Sequence, residues 1–224
     1  MKVSVALPIH NMEDAHFFLT RNLTSLENQT FKDFEVVITD NSPNRDLKVV
    51  VDMFDTLNTA YFPNDRIGMA KNTNRAIKES SGDLIKILYL DDYLMPNALE
   101  NAVANIGEGG WLASGCLHAD PENNIGNPHL PRWNDKIHEG ANTIGSPSVV
   151  MIRNEEPLLF DETMSWLLDC DYYKRMHERY GEPILLNSFD VVMGTGKHQM
   201  TNLLTEYEKS AEYNYIMKKY DHEQ

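Results

Sequence analysis

Lys86-Ile87-Leu88-Tyr89-Leu90-Asp91-Asp92-Tyr93-Leu94-Met95-Pro96 combines an apolar run, an acidic pair and the opening of a helix. Ile87 to Leu90 is of strand length and apolar on both faces, as a central strand of a covered parallel sheet is. Two adjacent carboxylates end it, and Pro96 then opens the helical pattern Asn97-Ala98-Leu99-Glu100. Ligands of open α/β sheets bind outside the carboxyl ends of strands, so Asp91 and Asp92 stand where chemistry is done. Neighbouring carboxylates repel, and a divalent cation shared with a phosphate-bearing ligand relieves that repulsion. An N-cap Asp with a solvated neighbour accounts for the same two residues. The residues alone leave both readings open.

Upstream, strands and helices alternate. Val3 to Leu7 is β-prone and is followed by Pro8-Ile9-His10-Asn11. Phe17, Phe18, Leu19, Leu23 and Leu26 give an apolar helix face. Phe34 to Thr39 reads as a second strand ending in the turn cluster Asp40-Asn41-Ser42-Pro43, with a helix expected over about 45–54. Asn58 to Phe62 reads as a third strand, and Met69 to Ser80 as a helix stopping at Ser81-Gly82. This alternation predicts an α/β fold with a mainly parallel central sheet flanked by helices. Downstream, strands are expected at Trp111–Cys116, Ser148–Ile152 and Ile184–Met193, and helices at Trp166–Tyr180 and Leu203–Tyr220. Residues 118–146, rich in Pro, Gly and Asn, are expected to form a long irregular loop that orders over a ligand.

At 224 residues the chain can bury a large core without staples. Its two cysteines, Cys116 and Cys170, have apolar surroundings and no metal-ligand spacing, which fits a reducing compartment. No stretch reaches transmembrane length, and Val3–Leu7 is too short for a signal sequence, so a soluble cytoplasmic protein is expected. The net charge of −14 supplies no basic stripe and argues against nucleic-acid binding.

Four segments carry a resemblance. Val3-Ser-Val-Ala-Leu-Pro-Ile-His-Asn11, Leu26-Glu-Asn-Gln-Thr-Phe-Lys-Asp-Phe-Glu-Val-Val-Ile-Thr-Asp-Asn-Ser42, Gly68-Met-Ala-Lys-Asn-Thr-Asn-Arg-Ala76 and Leu90-Asp-Asp-Tyr-Leu-Met-Pro96 resemble the family 2 glycosyltransferases. These are nucleotide-sugar-dependent enzymes of the GT-A fold. The resemblance implies a single GT-A domain over 1–200, with a nucleotide-binding half (1–96), an acceptor half (97–200) and a C-terminal helix (201–224). The family's "LDxDD" is trimmed here, with Tyr89 in place of its first acid. Trp166-Leu-Leu-Asp-Cys-Asp-Tyr-Tyr-Lys-Arg175 is similar to the family's "EDxDLxxR", with Leu168 in place of the Glu. Gly196-Lys-His-Gln-Met-Thr201 is similar to its late "RxHxxS" loop.

By that resemblance the chain transfers a sugar from a nucleotide-diphosphate sugar, UDP favoured, to an acceptor hydroxyl with inversion. The expected cofactor is Mn²⁺ or Mg²⁺, held by Asp92 with His198, while Asp91 meets the ribose or sugar. Asp169 is the expected catalytic base, and Asp171 a structural partner of Arg175 at i+4. Pro8, His10 and Asn11 are expected to line the nucleobase and ribose, and Asp40 to bond the base. Gly68, Lys71 and Asn72 complete the donor site, with Lys71 near the phosphates. The acceptor, whether glycan, lipid or small molecule, and the oligomeric state are not legible, although Trp133, His138 and Trp166 are candidate stacking platforms. Rival readings are a non-catalytic nucleotide-sugar-binding module and a nucleotidyltransferase. The latter calls for a Gly-rich basic loop where Pro8-Ile9-His10-Asn11 stands.

Overall fold

The computed structural model describes residues 1–221; the last three residues of the expected C-terminal helix, 222–224, lie outside the described residues. In chain order the elements are β1 (Val3–Ile9), α1 (Ala15–Glu27), β2 (Phe34–Asp40), α2 (Lys48–Val51), β3 (Thr59–Pro63), α3 (Met69–Glu79), β4 (Leu84–Ile87) and β5 (Tyr93–Leu94). There follow α4 (Ala98–Asn105), β6 (Trp111–Ala119), β7 (Ile125–His129), β8 (Val150–Arg153), α5 (Leu168–Tyr180), β9 (Ile184–Gly194), α6 (Met200–Leu203) and α7 (Glu206–Tyr220). One sheet runs β3-β2-β1-β4-β8-β6-β9-β5, with β7 added to β6. Its long ladders, β1 with β2 and β6 with β9, are parallel, whereas the joints β4–β8 and β6–β8 are short and antiparallel. The expected mostly parallel α/β sheet is present.

Every residue of β1 is buried, as its central position between two parallel neighbours requires. The strand runs through Pro8 to Ile9 rather than stopping at Leu7. The β4 ladder ends at Ala6, so Pro8 lies where β1 is paired to β2 alone and a missing N–H is tolerated.

Helix α1 buries Phe18, Leu19, Leu23 and Leu26, but Phe17 points outward and Asn22 takes an inward place. Asn22 Nδ2 donates to the carbonyls of Tyr89 (3.0 Å) and Asp92 (2.8 Å). Gln29 Nε2 donates to Met95 O at 2.9 Å, and its Oε1 accepts from Leu99 N at 3.1 Å. Asn22 on this buried face and Gln29 just past the helix end thus hold the acidic segment by backbone carbonyls on either side of it.

The central strand is displaced from its expected position. β4 ends at Ile87, and Leu88 to Asp92 form a turn, with Leu88 N on Ala6 O (3.0 Å), Tyr89 N on Ser148 Oγ (2.9 Å) and Asp92 N on Tyr89 O (3.1 Å). Leu88 and Leu90 are apolar because the turn itself is buried, which mimics a strand in sequence. The helix expected over 45–54 contracts to α2 between turns. Residues 118–146 are not a free loop. They form the β6–β7 hairpin and then pack inward, burying Ile137 and Ile144 completely and stacking Trp133 on His177. Among the described residues, no helix is long and apolar enough to cross a membrane.

Candidate active site

The carboxyl ends of β1, β2 and β4 open into a cavity of about 500 Å³, where the switch-point rule places a ligand. Of the expected site residues, Pro8, His10, Asn11, Gly68, Asn72, Asp91, Asp92, Asp169 and His198 line it. Asp40 and Lys71 do not. Asp40 is fully buried, with Oδ1 accepting from Ser42 N (2.7 Å) and Oδ2 from the Tyr61 hydroxyl (2.5 Å), while Asn41 and Pro43 reach the wall instead. Lys71 sits half-buried on α3, outside the wall. Asn72 ties the ends of two strands together, its Nδ2 donating to Ile9 O and Thr39 O, each at 3.0 Å.

The acidic pair is split in direction. Asp91 Oδ2 meets His198 Nε2 at 3.0 Å. That hydrogen bond raises the imidazole pKa, and Phe18 packs against the ring at 5.2 Å. Asp92 instead faces the interior, with Oδ1 accepting from Gly194 N at 2.9 Å and Oδ2 placed 3.4 Å from Ser146 Oγ. Burial and the adjacent Asp91 carboxylate push the Asp92 carboxyl up to about 8. Behind the turn, Lys86 is buried and donates to Ser148 O; burial brings its ammonium down to about 8, against the pull of Asp190 and Asp92.

Across the cavity Asp169 stands in the first turn of α5. Its Oδ1 accepts from Cys170 N and its Oδ2 from Asn142 Nδ2, both at 2.7 Å. Burial raises this carboxyl to about 6, where it is ionised at neutral pH yet remains a competent proton acceptor. Asp171, two residues on, faces away and is fully buried. It bonds Arg175 Nε (2.8 Å), Lys219 Nζ (2.7 Å) and the Tyr220 hydroxyl (2.8 Å), so the expected i,i+4 pairing with Arg175 is present. Of the three candidate aromatic platforms, Trp166 lines the cavity. Trp133 is engaged with Trp111 and His177, and His138 with Tyr220.

Two carboxylates and one imidazole around a cavity suit Mn²⁺ or Mg²⁺ by donor chemistry. Neighbouring ligands of one such ion lie ~3 Å apart, which is the spacing of Asp91 and His198. Among the described residues no three His, Cys, Asp or Glu side chains form a ready cage. The chain therefore fits an ion that takes one or two protein ligands and completes its shell with phosphate oxygens and water, as Mg²⁺ commonly does.

Sequence reasoning missed Arg21, Asn142, Ser146 and Gly194. Arg21 donates to Asp91 O (2.6 Å) and Asn123 Oδ1 (3.0 Å) from a cage of Phe17, Phe18 and Tyr93. Gly194 has no room for a side chain: a Cβ there would lie 2.5 Å from the Asp91 carbonyl oxygen. A glycine closing the last strand was the one available signal.

Comparison with known proteins agrees with this geometry. The chain is 30% identical over 128 residues to a Campylobacter jejuni GalNAc(5)-diNAcBac-PP-undecaprenol beta-1,3-glucosyltransferase, covering 55% of this chain and 40% of that protein. It is 33% identical over 113 residues to the Staphylococcus aureus poly(ribitol-phosphate) beta-N-acetylglucosaminyltransferase TarS, covering 48% of this chain and 19% of TarS. The chain thus spans less than half the length of these two relatives. In structure it matches S. aureus TarS 1-349 in complex with UDP-GlcNAc (TM-score 0.70, 19% identity, 97% of this chain and 65% of that one). It also matches the Pyrobaculum calidifontis mannosyltransferase PcManGT in complex with GDP-Man and Mn²⁺ (TM-score 0.68, 15% identity, 97% and 63%). The fold is therefore that of the GT-A glycosyltransferases. The model of glycosyl transferase family 2 matches residues 4–158, more than half of the sequence, and the chain belongs to that family.

Proposed function

We propose that this chain is an inverting, cation-assisted glycosyltransferase that uses a UDP-sugar. The observation that carries the proposal is a single cavity holding the Asp91–His198 pair and the raised carboxyl of Asp169. UDP is favoured over GDP because the TarS neighbour, which also matches in sequence, is in complex with UDP-GlcNAc.

In this reading residues 1–96 hold the donor, residues 97–200 present the acceptor, and residues 201–221 brace the second half. Pro8, Asn41 and Pro43 wall the nucleobase end, and His10 and Asn11 the ribose. Asp91 and His198 would hold the cation, which would neutralise charge on the departing diphosphate. Asp92 keeps the turn in register through Gly194 N. Asp169 receives the proton of the acceptor hydroxyl as that oxygen bonds to the anomeric carbon. The bond from that carbon to the diphosphate oxygen breaks on the opposite face, so UDP leaves and the configuration inverts. Asn142 and Cys170 N orient the Asp169 carboxylate during this step.

Nucleotide release from a panel of UDP-, GDP- and dTDP-sugars, with Mn²⁺ and with EDTA, tests the proposal; water serves as a slow acceptor. UDP release requiring Mn²⁺ is expected. Tight UDP-sugar binding with no release from any donor would make the chain a binding module.

A further inference from the structure

Helix α5, which carries Asp169, has no side-chain cap of its own: Leu167 occupies the N-cap position and offers no oxygen. The segment entering it instead turns three successive N–H groups toward one carboxylate on α7. Glu212 Oε2 accepts from Ser165 N (2.9 Å), and Oε1 accepts from Trp166 N (2.7 Å) and Leu167 N (2.5 Å). Consecutive N–H groups converging on an anion form a fixed nest. The residues so gripped include Ser165 and Trp166, which line the cavity, and Asp169 follows within one helical turn.

The rest of α7 is anchored without Glu212. Lys219 Nζ bridges Asp161 (2.9 Å) and Asp171 (2.7 Å), the Tyr220 hydroxyl meets Asp171, and Ile216 is fully buried. Glu212 is thus not needed to dock the helix. Its three bonds serve the approach to α5.

We propose that Glu212 is a positioning residue for the acceptor side of the reaction, fixing the entry to α5 and through it the placement of Trp166 and Asp169. This rests on the reading of Asp169 as the base. A base displaced by ~1 Å loses on the order of a hundredfold in rate, so a brace remote from the reacting atoms has leverage on turnover.

The test is UDP release from a UDP-sugar in Mn²⁺, alongside UDP affinity and thermal melting, for Glu212→Gln, Asp169→Asn and the double variant. Gln keeps one carbonyl oxygen and opposes an NH₂ to the remaining N–H donors. Release is expected to fall about tenfold or more, with UDP affinity changed by less than about threefold. In the Asp169→Asn background Glu212→Gln is expected to cost nothing further, because the two act as one unit. Tyr215→Phe, which removes a different α7 bond, to Asp161, is expected to leave release unchanged. Glu212→Asp keeps the charge and both oxygens one methylene short; it replaces Gln if that variant melts below the assay temperature, and an intermediate rate is expected. Wild-type release in Glu212→Gln or Glu212→Asp, or an undiminished loss in the double variant, overturns the proposal while leaving the base reading intact. Wild-type release in Asp169→Asn overturns the base reading itself.

Discussion

His198 reaches Asp91 and not Asp92: Nε2 lies 3.0 Å from Asp91 Oδ2, while Asp92 turns to the backbone of Gly194. The resemblance points to Asp92 as the cation ligand, but adjacent residues in a turn face different ways. The one facing the cavity with a nitrogen beside it has the freer oxygens. We therefore propose that a cation would be held by Asp91 and His198. UDP with Mn²⁺ is expected to raise the melting temperature, and the gain is expected to vanish in EDTA, in Asp91→Asn and in His198→Ala. Asp92→Asn is expected to retain a cation-dependent gain. The reverse pattern in a thermal-shift series would return the role to Asp92.

Gly194 tests the backbone side of the same arrangement. A Cβ there would stand 2.5 Å from Asp91 O and 3.1 Å from Asp91 Cβ, both on a turn that Asn22 and Arg21 already hold. Gly194→Ala is expected to cost about 1–3 kcal/mol in denaturant unfolding and to weaken Mn²⁺–UDP binding. Gly126→Ala, where a Cβ meets nothing within 4 Å, is the control expected to change neither.

Asp171 is expected to carry stability rather than turnover. It is fully buried among Arg175, Lys219 and Tyr220, and removing its charge takes the carboxylate from Arg175 and leaves Lys219 with Asp161 alone. Asp171→Asn is expected to destabilise the chain by about 3 kcal/mol. Nucleotide release below the melting transition is expected to stay within about threefold of wild type. Comparable loss of release in Asp171→Asn and Asp169→Asn at full stability would contradict this division.

Local sequence carried what short-range physics determines. β1, β2, α1 and α3 were legible because apolar spacing and turn residues lie within each segment. Leu88 to Leu90 misled because a buried turn and a buried strand share an apolar composition. Residues 118–146 misled because Pro and Gly mark irregular backbone but say nothing about packing, and Ile137 and Ile144 are core. In the site, Asp91 and Asp92 stood out as an acidic pair at the end of an apolar run, while Asp169 and His198 entered through the family resemblance; all four line the cavity. Asn142 and Glu212 were not legible, because each meets its partner across long sequence separations and belongs to no periodic pattern. Asp40 shows the converse: the residue at a familiar place is turned inward and its neighbour Asn41 reaches the cavity.

The pH dependence of UDP release, measured in Mn²⁺ for wild type and Asp169→Asn, tests the central assignment most directly. Burial raises the Asp169 carboxyl to about 6, and a base works only when ionised. Release is therefore expected to be half-maximal near pH 6, close to full about one unit above it, and to fall tenfold per pH unit well below it. Asp169→Asn is expected to lie roughly two to four orders of magnitude lower and, at Mn²⁺ saturating enough to keep His198 deprotonated, without that acidic limb. A variant that releases UDP at the wild-type rate with the same limb would show that Asp169 is not the base.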